Sequence, residues 1–217
     1  MKYSKKYALI TDFDGTITER DVGDFILLKF KLISKKEIDL GYLTDMPVED
    51  WMKKHFAAAA KIKKEKIEKA VVSQIKLRPY FKKTAEFCRK NLIPLEIVSG
   101  GVDLYADPIL KFHKLKVKSF FGKFRVKNNS VSITYPYLKN KTLSEFKKSR
   151  VEYYKKRGYS VIFCGDAPND LPAAKAADTA FACRFLPSLL RKEKKSYKRL
   201  KDFSEIFKIL KKSATLY

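Results

Sequence analysis

Two aspartates separated by one residue follow the first apolar segment of the chain. Asp12 and Asp14 come directly after the run 7–11 and just before Gly15, which lets the backbone turn sharply. Carboxylates are hard oxygen ligands that suit Mg²⁺, and an aspartate can also act as a covalent nucleophile toward phosphorus. An ordinary aspartate-rich turn after a strand is the alternative interpretation of this pair.

Two further polar clusters follow apolar runs in the same way. Ser99 and Gly100 come after the run 95–98, and Asp166 comes one glycine after the run 161–164. A hydroxyl beside unobstructed backbone N–H groups is suited to a phosphate, and Asp166 could complete a metal site with Asp12. Each motif alone is also compatible with a simple turn.

The elements that must position these residues are short, apolar and alternate with helical patterns. The four runs are 7–11, 95–98, 161–164 and 179–183. Such runs are typical of buried strands in a parallel sheet covered on both faces, so we predict an α/β fold. Ligands of these folds bind beyond the carboxyl ends of the strands, and Asp12, Ser99 and Asp166 are expected at that edge.

A helical insertion is predicted between the first two strands. About 80 residues separate them, whereas a crossover needs only about a dozen. The helical ranges are 21–32, 48–60 and 64–75. We therefore predict a core domain formed by residues 1–18 and 79–217 and a helical domain of residues 19–78.

Further helices and one hairpin are predicted in the second part of the chain. They are a helix over 79–91, a hairpin over 120–137 with its turn at Asn128-Asn129, a helix over 143–157 and one or two amphipathic helices over 186–217.

The order of the motifs resembles that of the haloacid dehalogenase superfamily of phosphohydrolases. The matching segments are DFDGT at 12–16, the serine of VSGG, Lys147 or Lys148, and GDAPND at 165–170. The chain is most similar to the phosphoserine-phosphatase-like branch and, within it, to the methionine-salvage phosphatases of a methylthiopentenyl phosphate. The resemblance implies a Rossmann-like core with a parallel sheet and a small helical cap of the first type.

The same resemblance implies roles for the acidic residues. Asp12 would be the nucleophile and Asp14 the general acid and base of a phosphatase that acts on a small phosphorylated metabolite. The cofactor would be Mg²⁺, bound by Asp12, the backbone carbonyl of Asp14 and Asp166. Asp170 and Thr16 would hold these groups in position.

It also implies the residues that contact the substrate. Ser99, Gly100, Lys147 and Asn169 would bind the phosphoryl group, and the spacing in the methionine-salvage group favours Lys147 over Lys148. Asp21 and Lys53 match cap positions that contact the rest of the substrate in that branch. For Asp21, the N-cap of the first cap helix is an equally good interpretation.

The charge of the chain leaves other functions open. Lys and Arg number 48 against 24 acidic residues, a net charge of +24. Such a field attracts nucleic acids and small phosphates alike, so a basic nucleic-acid-binding protein is an alternative, although no nucleic-acid motif is recognisable. A phosphotransferase of the same fold is another.

The cellular setting is predicted from what the sequence lacks. No apolar stretch long enough to span a membrane is present, and the three cysteines form no disulfide or metal spacing. We expect a cytoplasmic protein with no membrane partner, a monomer or a homodimer.

Overall fold

One sheet of seven strands dominates the computed structural model, which describes residues 5–44, 46–128 and 130–214. The strands are β1 (Tyr7–Thr11), β2 (Leu95–Val102), β3 (Lys118–Lys127), β4 (Ser130–Thr134), β5 (Ser160–Gly165), β6 (Thr179–Ala182) and β7 (Lys198–Arg199). Their spatial order is β4-β3-β2-β1-β5-β6-β7, and only the β3–β4 pair is antiparallel. The predicted α/β class is therefore confirmed.

Helices connect and flank the strands. They are α1 (Val22–Lys29), α2 (Lys35–Gly41), α3 (Val48–His55), α4 (Lys64–Gln74), α5 (Phe81–Lys90), α6 (Asp103–Phe112), α7 (Leu143–Lys155), α8 (Leu171–Ala176), α9 (Leu186–Lys192) and α10 (Ser204–Ala214), with 3₁₀ helices over Phe56–Lys61 and Pro168–Asp170. In the part of the chain that the structure describes, none of the helices is long and apolar enough to cross a membrane.

The register of the central strands brings the polar motifs to one edge. Thr11, the last residue of β1, pairs with Ile97 of β2 on one side and with Cys164 of β5 on the other. Because all three strands run in the same direction, the residues that follow them, including Asp12 and Asp166, emerge at the same edge of the sheet.

The second strand is longer than predicted. β2 continues through Ser99 and Gly100 to Val102, with a register shift between Val98 and Val102. The extension pairs again with β3 at Val102 and Gly122, and two tyrosine hydroxyls bind its carbonyls: Tyr137 donates to that of Ser99 and Tyr135 to that of Gly100. The phosphate-binding candidates thus lie on a hydrogen-bonded strand end rather than in the predicted loop.

Several other boundaries differ from the predictions for local reasons. The first helix begins after Asp21, whose side chain accepts from the backbone N–H of Asp24 and caps it. The predicted helix 48–60 changes to a 3₁₀ helix after His55. The tail contains the unpredicted strand β7 between α9 and α10. β3 and β4 pair as the predicted hairpin, while Asn129 of its predicted turn and residues 215–217 lie outside the described residues.

Residues 19–78, which we call the helical insertion, join the core through a narrow connection. Thr18 forms an isolated antiparallel bridge with Leu77, and the N–H of Arg78 donates to the carbonyl of Ile17. The insertion therefore leaves and re-enters the core at adjacent points. Its assignment as a separate domain stays a prediction.

Candidate active site

Asp12 lies at the end of the central strand in a buried position. Its backbone N–H donates to the carbonyl of Cys164, which fixes the start of the loop against β5. The Oδ1 atom of Asp12 is buried and has no hydrogen-bond donor among the described residues. Its charged neighbour is the Nζ atom of Lys147 at 3.1 Å, an ion pair without hydrogen-bond geometry.

Lys147 is the lysine that the fold brings to this edge. Its ammonium group lies 2.6 Å from Oδ1 of Asp170 and 2.6 Å from Oδ1 of Asn169, and its side chain is 1% exposed. Lys148, by contrast, is half exposed and pairs with Glu152 one helical turn further along α7. The geometry therefore selects Lys147 from the predicted pair.

Three carboxylates converge beside this lysine. Oxygens of Asp12, Asp166 and Asp170 all lie within 4.8 Å of one another. Thr16 donates its hydroxyl to Asp166, while Asp170 accepts the backbone N–H groups of Asp166 and Ala167. Asp170, predicted only to support the site, thus belongs to the cluster itself.

This donor set fits a hard divalent cation. The ligands are carboxylate oxygens, which Mg²⁺ prefers, and the buried Oδ1 of Asp12 is left without a donor. Burial and the charge of Asp170 raise the pKa of Asp12 to about 6 against the lowering effect of Lys147. Burial and the charge of Asp12 also hold the pKa of Asp166 well above its usual range. A cation at this cluster would relieve both destabilising effects.

Asp14 faces a different environment from Asp12. Its Oδ2 accepts hydrogen bonds from the hydroxyls of Tyr105, at 2.8 Å, and Ser99, at 3.2 Å, and its Oδ1 accepts from the N–H of Val22. Burial, with the charges of Asp21 and Asp12, raises the pKa of Asp14 well above its ordinary value. Asp14 is therefore a buried carboxyl group that holds a proton readily.

Gly100 and Gly101 allow the backbone to approach this acid closely. A Cβ on Gly101 would lie 2.4 Å from Oδ2 of Asp14, and one on Gly100 would lie 2.9 Å from a methyl carbon of Val48 in the helical insertion. No larger side chain fits either position without displacing a neighbour. The candidate Gly100 and the following Gly101 are thus required by close packing at the strand end.

A cavity of about 390 Å³ opens in front of these residues and extends under the helical insertion. Its apolar wall comes from the insertion and consists of Ile38, Tyr42, Met46, Pro47, Val48, Trp51 and Met52. Its carboxylates are Asp12, Asp14, Asp21, Asp24, Glu49 and Asp166. Among the residues that the structure describes, no Lys or Arg belongs to the lining, although the chain carries a net charge of +24.

The two residues predicted to contact the rest of the substrate are placed differently. Asp21 lines the cavity and also caps α1, so both of its interpretations fit its position. Lys53 is exposed, pairs with Asp50 one helical turn away and does not line the cavity. The reason is the direction of α3, which turns Trp51 and Met52 toward the cavity and Lys53 toward solvent.

Three residues of the site were missed by sequence reasoning. Tyr105 contacts Asp14 from α6, Arg184 contacts Asp166 from the loop after β6, and Arg78 donates to the carbonyls of Gly15 and Thr16. None belongs to a local motif, and their contacts join distant parts of the chain. The one signal in the sequence was Arg184 itself, a charged residue directly after the apolar run 179–183.

The comparisons with known proteins agree with this geometry. A family model described as haloacid dehalogenase-like hydrolase matches residues 9–175. The chain belongs to the haloacid dehalogenase-like hydrolase family. This confirms the resemblance that the four motifs indicated.

Curated relatives cover nearly the whole chain. A 2-hydroxy-3-keto-5-methylthiopentenyl-1-phosphate phosphatase of Brevibacillus brevis is 28% identical over 95% of this chain and 96% of its own length. A protein of the same name from Geobacillus thermodenitrificans is 30% identical over 84% and 85%, respectively. With the family match, these relatives identify the chain as a phosphatase that acts on a phosphorylated substrate.

Solved structures share the fold. A phosphoserine phosphatase, solved as a phospho-aspartyl intermediate analogue, superposes with a TM-score of 0.71 at 24% identity and covers 94% of this chain and 98% of its own. The predicted fold class, including its likeness to phosphoserine phosphatases, is thereby confirmed.

Proposed function

We propose that the chain is a Mg²⁺-dependent phosphomonoester hydrolase that works through an aspartyl-phosphate on Asp12. The observation that carries the proposal is the buried carboxylate of Asp12, whose Oδ1 lies 3.1 Å from the ammonium group of Lys147 and which shares one cluster with the carboxylates of Asp166 and Asp170. A nucleophile needs an uncommitted oxygen next to positive charge that can attract a phosphate dianion.

Asp12, Asp166 and the backbone carbonyl of Asp14 would hold the metal, with Asp170 at the edge of the same cluster. Bound there, Mg²⁺ supplies positive charge that offsets the repulsion between a carboxylate nucleophile and a phosphate dianion. Lys147, whose ammonium group is 3.1 Å from Asp12, would add positive charge to the same effect. The charges of Asp12 and Asp170 outweigh the effect of burial and raise the pKa of this lysine above its usual value, so it stays cationic.

In the first half-reaction, a carboxylate oxygen of Asp12 attacks phosphorus and the ester P–O bond breaks. The leaving oxygen needs a proton, and Asp14 supplies it, because its raised pKa keeps the acid form populated. Tyr105 and Ser99 hold the Asp14 carboxyl in place during this transfer. The products are the free alcohol and a phosphoryl group bound to Asp12.

In the second half-reaction, water attacks the phosphoryl group on Asp12. Asp14, now ionised, takes a proton from that water, the P–O bond to Asp12 breaks and inorganic phosphate leaves. Asn169, Ser99 and Gly100 line the cavity and would bind the transferred group, and Lys147, hydrogen-bonded to Asn169, would add its positive charge from behind them. Both half-reactions therefore use the same acid in its two protonation states.

The cavity indicates the chemical class of the leaving group. A substrate carboxylate would meet Asp21, Asp24 and Glu49 in the lining, and the guanidinium of Arg184 beside them is already paired with Asp166 at 2.8 Å. Such a carboxylate would lack a free cationic partner, and an unpaired buried charge is costly. We therefore propose an uncharged and partly apolar leaving group. The compound in the name of the curated relatives, 2-hydroxy-3-keto-5-methylthiopentenyl-1-phosphate, fits this description through its methylthio group.

The test is phosphate release from a panel of phosphomonoesters with Mg²⁺ or with EDTA. We expect the methylthiopentenyl phosphate to exceed phosphoserine by about 100-fold in kcat/KM, a difference of roughly 2.7 kcal/mol. Asp12→Asn should abolish turnover with every ester and leave the fold unchanged, whereas Asp39→Asn, on the exposed face of α2, should retain full activity. Turnover that survives in Asp12→Asn would refute the mechanism, and a preference for phosphoserine would refute the substrate class alone.

A further inference from the structure

Arg184 lies between the core and the helical insertion. It follows β6 in a left-handed backbone conformation with φ of 48°, and its side chain is 30% exposed. Its Nη1 atom is 2.8 Å from Oδ2 of Asp166 in the core and 3.9 Å from Oδ2 of Asp21, the N-cap of the first helix of the insertion. One guanidinium group is thus shared by two carboxylates from different parts of the molecule.

The insertion also contacts Arg184 through an aromatic side chain. The guanidinium lies over the ring of Tyr42, 5.5 Å from its centroid, and that ring is 5.0 Å from the ring of Phe185. The hydroxyl of Tyr42 lies 2.8 Å from Oδ2 of Asp24 and 3.2 Å from Oδ2 of Asp21, so its one proton is shared between the two carboxylates. A change in the position of Arg184 would therefore be transmitted to α1 and to the end of α2.

The core provides space for this arrangement. Gly15 has φ of 69°, and a Cβ there would lie 2.5 Å from Oδ2 of Asp166 and 2.6 Å from Nη1 of Arg184. The glycine of the first motif is therefore required by the Arg184–Asp166 contact as well as by the turn. Asp166 in turn is one of the three converging carboxylates.

We propose that Arg184 is a positioning residue that couples the helical insertion to the state of the Asp166 carboxylate. The proposal rests on the proposed function in taking Asp166 as a ligand of Mg²⁺. A divalent cation competes with Arg184 for this carboxylate, which leaves more of the guanidinium charge to Asp21 and Tyr42. Occupation of the metal site then strengthens the hold on the insertion above the cavity.

A tryptophan of the helical insertion can report by its fluorescence on how the insertion packs. Trp51 is the single tryptophan of the sequence, lies on α3 and lines the cavity. Its ring is 4.9 Å from that of His55, and a Cβ on Gly41 would lie 2.4 Å from its Nε1. Its fluorescence is therefore sensitive to the way α2 and α3 pack.

The first measurement follows Trp51 emission and the heat of binding while MgCl₂ alone is added to the full chain. Arg184→Met keeps an apolar stem over Tyr42 and removes the charge. Arg191→Met makes the same change at an exposed arginine whose side chain contacts Tyr197. We expect Mg²⁺ to change the emission of the wild type and of Arg191→Met, with a change at least fivefold smaller in Arg184→Met.

The second measurement is hydrogen exchange of residues 35–40 without metal. We expect at least tenfold faster exchange in Arg184→Met than in the wild type or in Arg191→Met, because the guanidinium charge that contacts the Tyr42 ring and Asp21 from the core is lost. If Arg184→Met does not fold, Tyr42→Leu removes the same contact from the other side and is measured in the same way.

The outcomes separate the two proposals. Unchanged exchange in Arg184→Met, or an unchanged emission response to Mg²⁺, overturns the coupling and leaves the proposed function standing. Mg²⁺ that binds the wild type with no emission change also overturns it. Absence of any heat of Mg²⁺ binding to the wild type overturns the metal-dependent function and the coupling together.

Discussion

The ammonium nitrogen of Lys147 lies 3.1 Å from Oδ1 of Asp12, although the two residues come from a helix and a strand end far apart in the sequence. The four-residue spacing of buried positions along α7 brings Lys147 to the sheet. Its buried positions are Leu143, Lys147 and Val151, each four residues from the next, so the lysine lies on the face that packs against the sheet. The buried charge is then compensated by Asp12 and Asp170.

Replacing Lys147 by Met should remove activity and lower stability. The phosphoryl group loses a cation that attracts it, and we expect kcat/KM to fall by at least about 10³-fold. Asp12 and Asp170 lose their cationic partner in a buried site, which should lower the free energy of unfolding by roughly 3 kcal/mol. Phosphate release and urea unfolding at pH 7 measure the two effects.

Lys148→Met is the matched control for that experiment. Lys148 is half exposed and pairs with Glu152 on the surface, so activity should stay within about twofold and stability within about 0.5 kcal/mol. Equal losses in the two variants would show that the helix, rather than the position of one ammonium group, carries the effect.

The sequence predicted the parts of the site that belong to strand ends. Asp12 and Asp166 follow apolar runs long enough to read as buried strands, and parallel strands bring their carboxyl ends together. The residues alone left the choice between Lys147 and Lys148 open, and the structure shows that Lys147 shares the buried helical face of Leu143 and Val151.

The rest of the site depends on packing that no local pattern describes. Tyr105 reaches Asp14 from α6, and Arg184 reaches Asp166 from the loop after β6. Lys53 does not line the cavity because its helix turns Trp51 and Met52, two residues and one residue earlier, toward it. The orientation of a cap helix is fixed by tertiary contacts rather than by its own sequence.

Arg78 should be required for activity although it contacts no predicted substrate group. Its guanidinium donates to the carbonyls of Gly15 and Thr16, each at 2.8 Å, and to that of Lys201 at 3.2 Å. The planar fork makes three separate bonds that a lysine cannot reproduce. We expect Arg78→Lys and Arg78→Met to lose at least about tenfold in kcat and roughly 2 kcal/mol in stability.

The comparison between these two variants decides the interpretation of Arg78. If positive charge alone mattered, Arg78→Lys would recover most of the activity of the wild type. Steady-state kinetics and thermal unfolding of the two proteins, with Arg157→Met as a surface control, distinguish charge from geometry. Near-normal activity in Arg78→Lys would contradict the positioning of the loop by the guanidinium fork.

Tyr105→Phe should change the pH dependence of the reaction. The hydroxyl of Tyr105 donates to Oδ2 of Asp14 and favours the carboxylate, so it lowers a pKa that burial raises. Without it, the pKa of Asp14 rises further, and the alkaline limb of the kcat profile should move to higher pH. We also expect kcat at pH 7 to fall roughly tenfold, because one of the bonds that orient the acid is lost.

Tyr153→Phe is the control for that profile, since Tyr153 is exposed on α7 and stacks with Arg150 and Arg157 on the surface. Its profile should coincide with that of the wild type. An alkaline limb that stays in place in Tyr105→Phe would mean that the limb reports a group other than Asp14.

Asp24→Asn should stabilise the protein in a pH-dependent way. Burial, with the charge of Asp21, raises the pKa of Asp24 from 3.8 to about 7, against the effect of the Tyr42 hydroxyl. The folded state therefore keeps a proton that the unfolded state releases at lower pH, and stability falls as the pH rises from about 4 to 7. The amide removes this penalty and still accepts the hydrogen bond of Tyr42.

Urea unfolding measures the effect. The free energy of unfolding of Asp24→Asn should equal that of the wild type below about pH 4 and exceed it by roughly 2–4 kcal/mol above pH 7. A gain that is constant across this range would mean that Asp24 ionises in the folded and unfolded states alike.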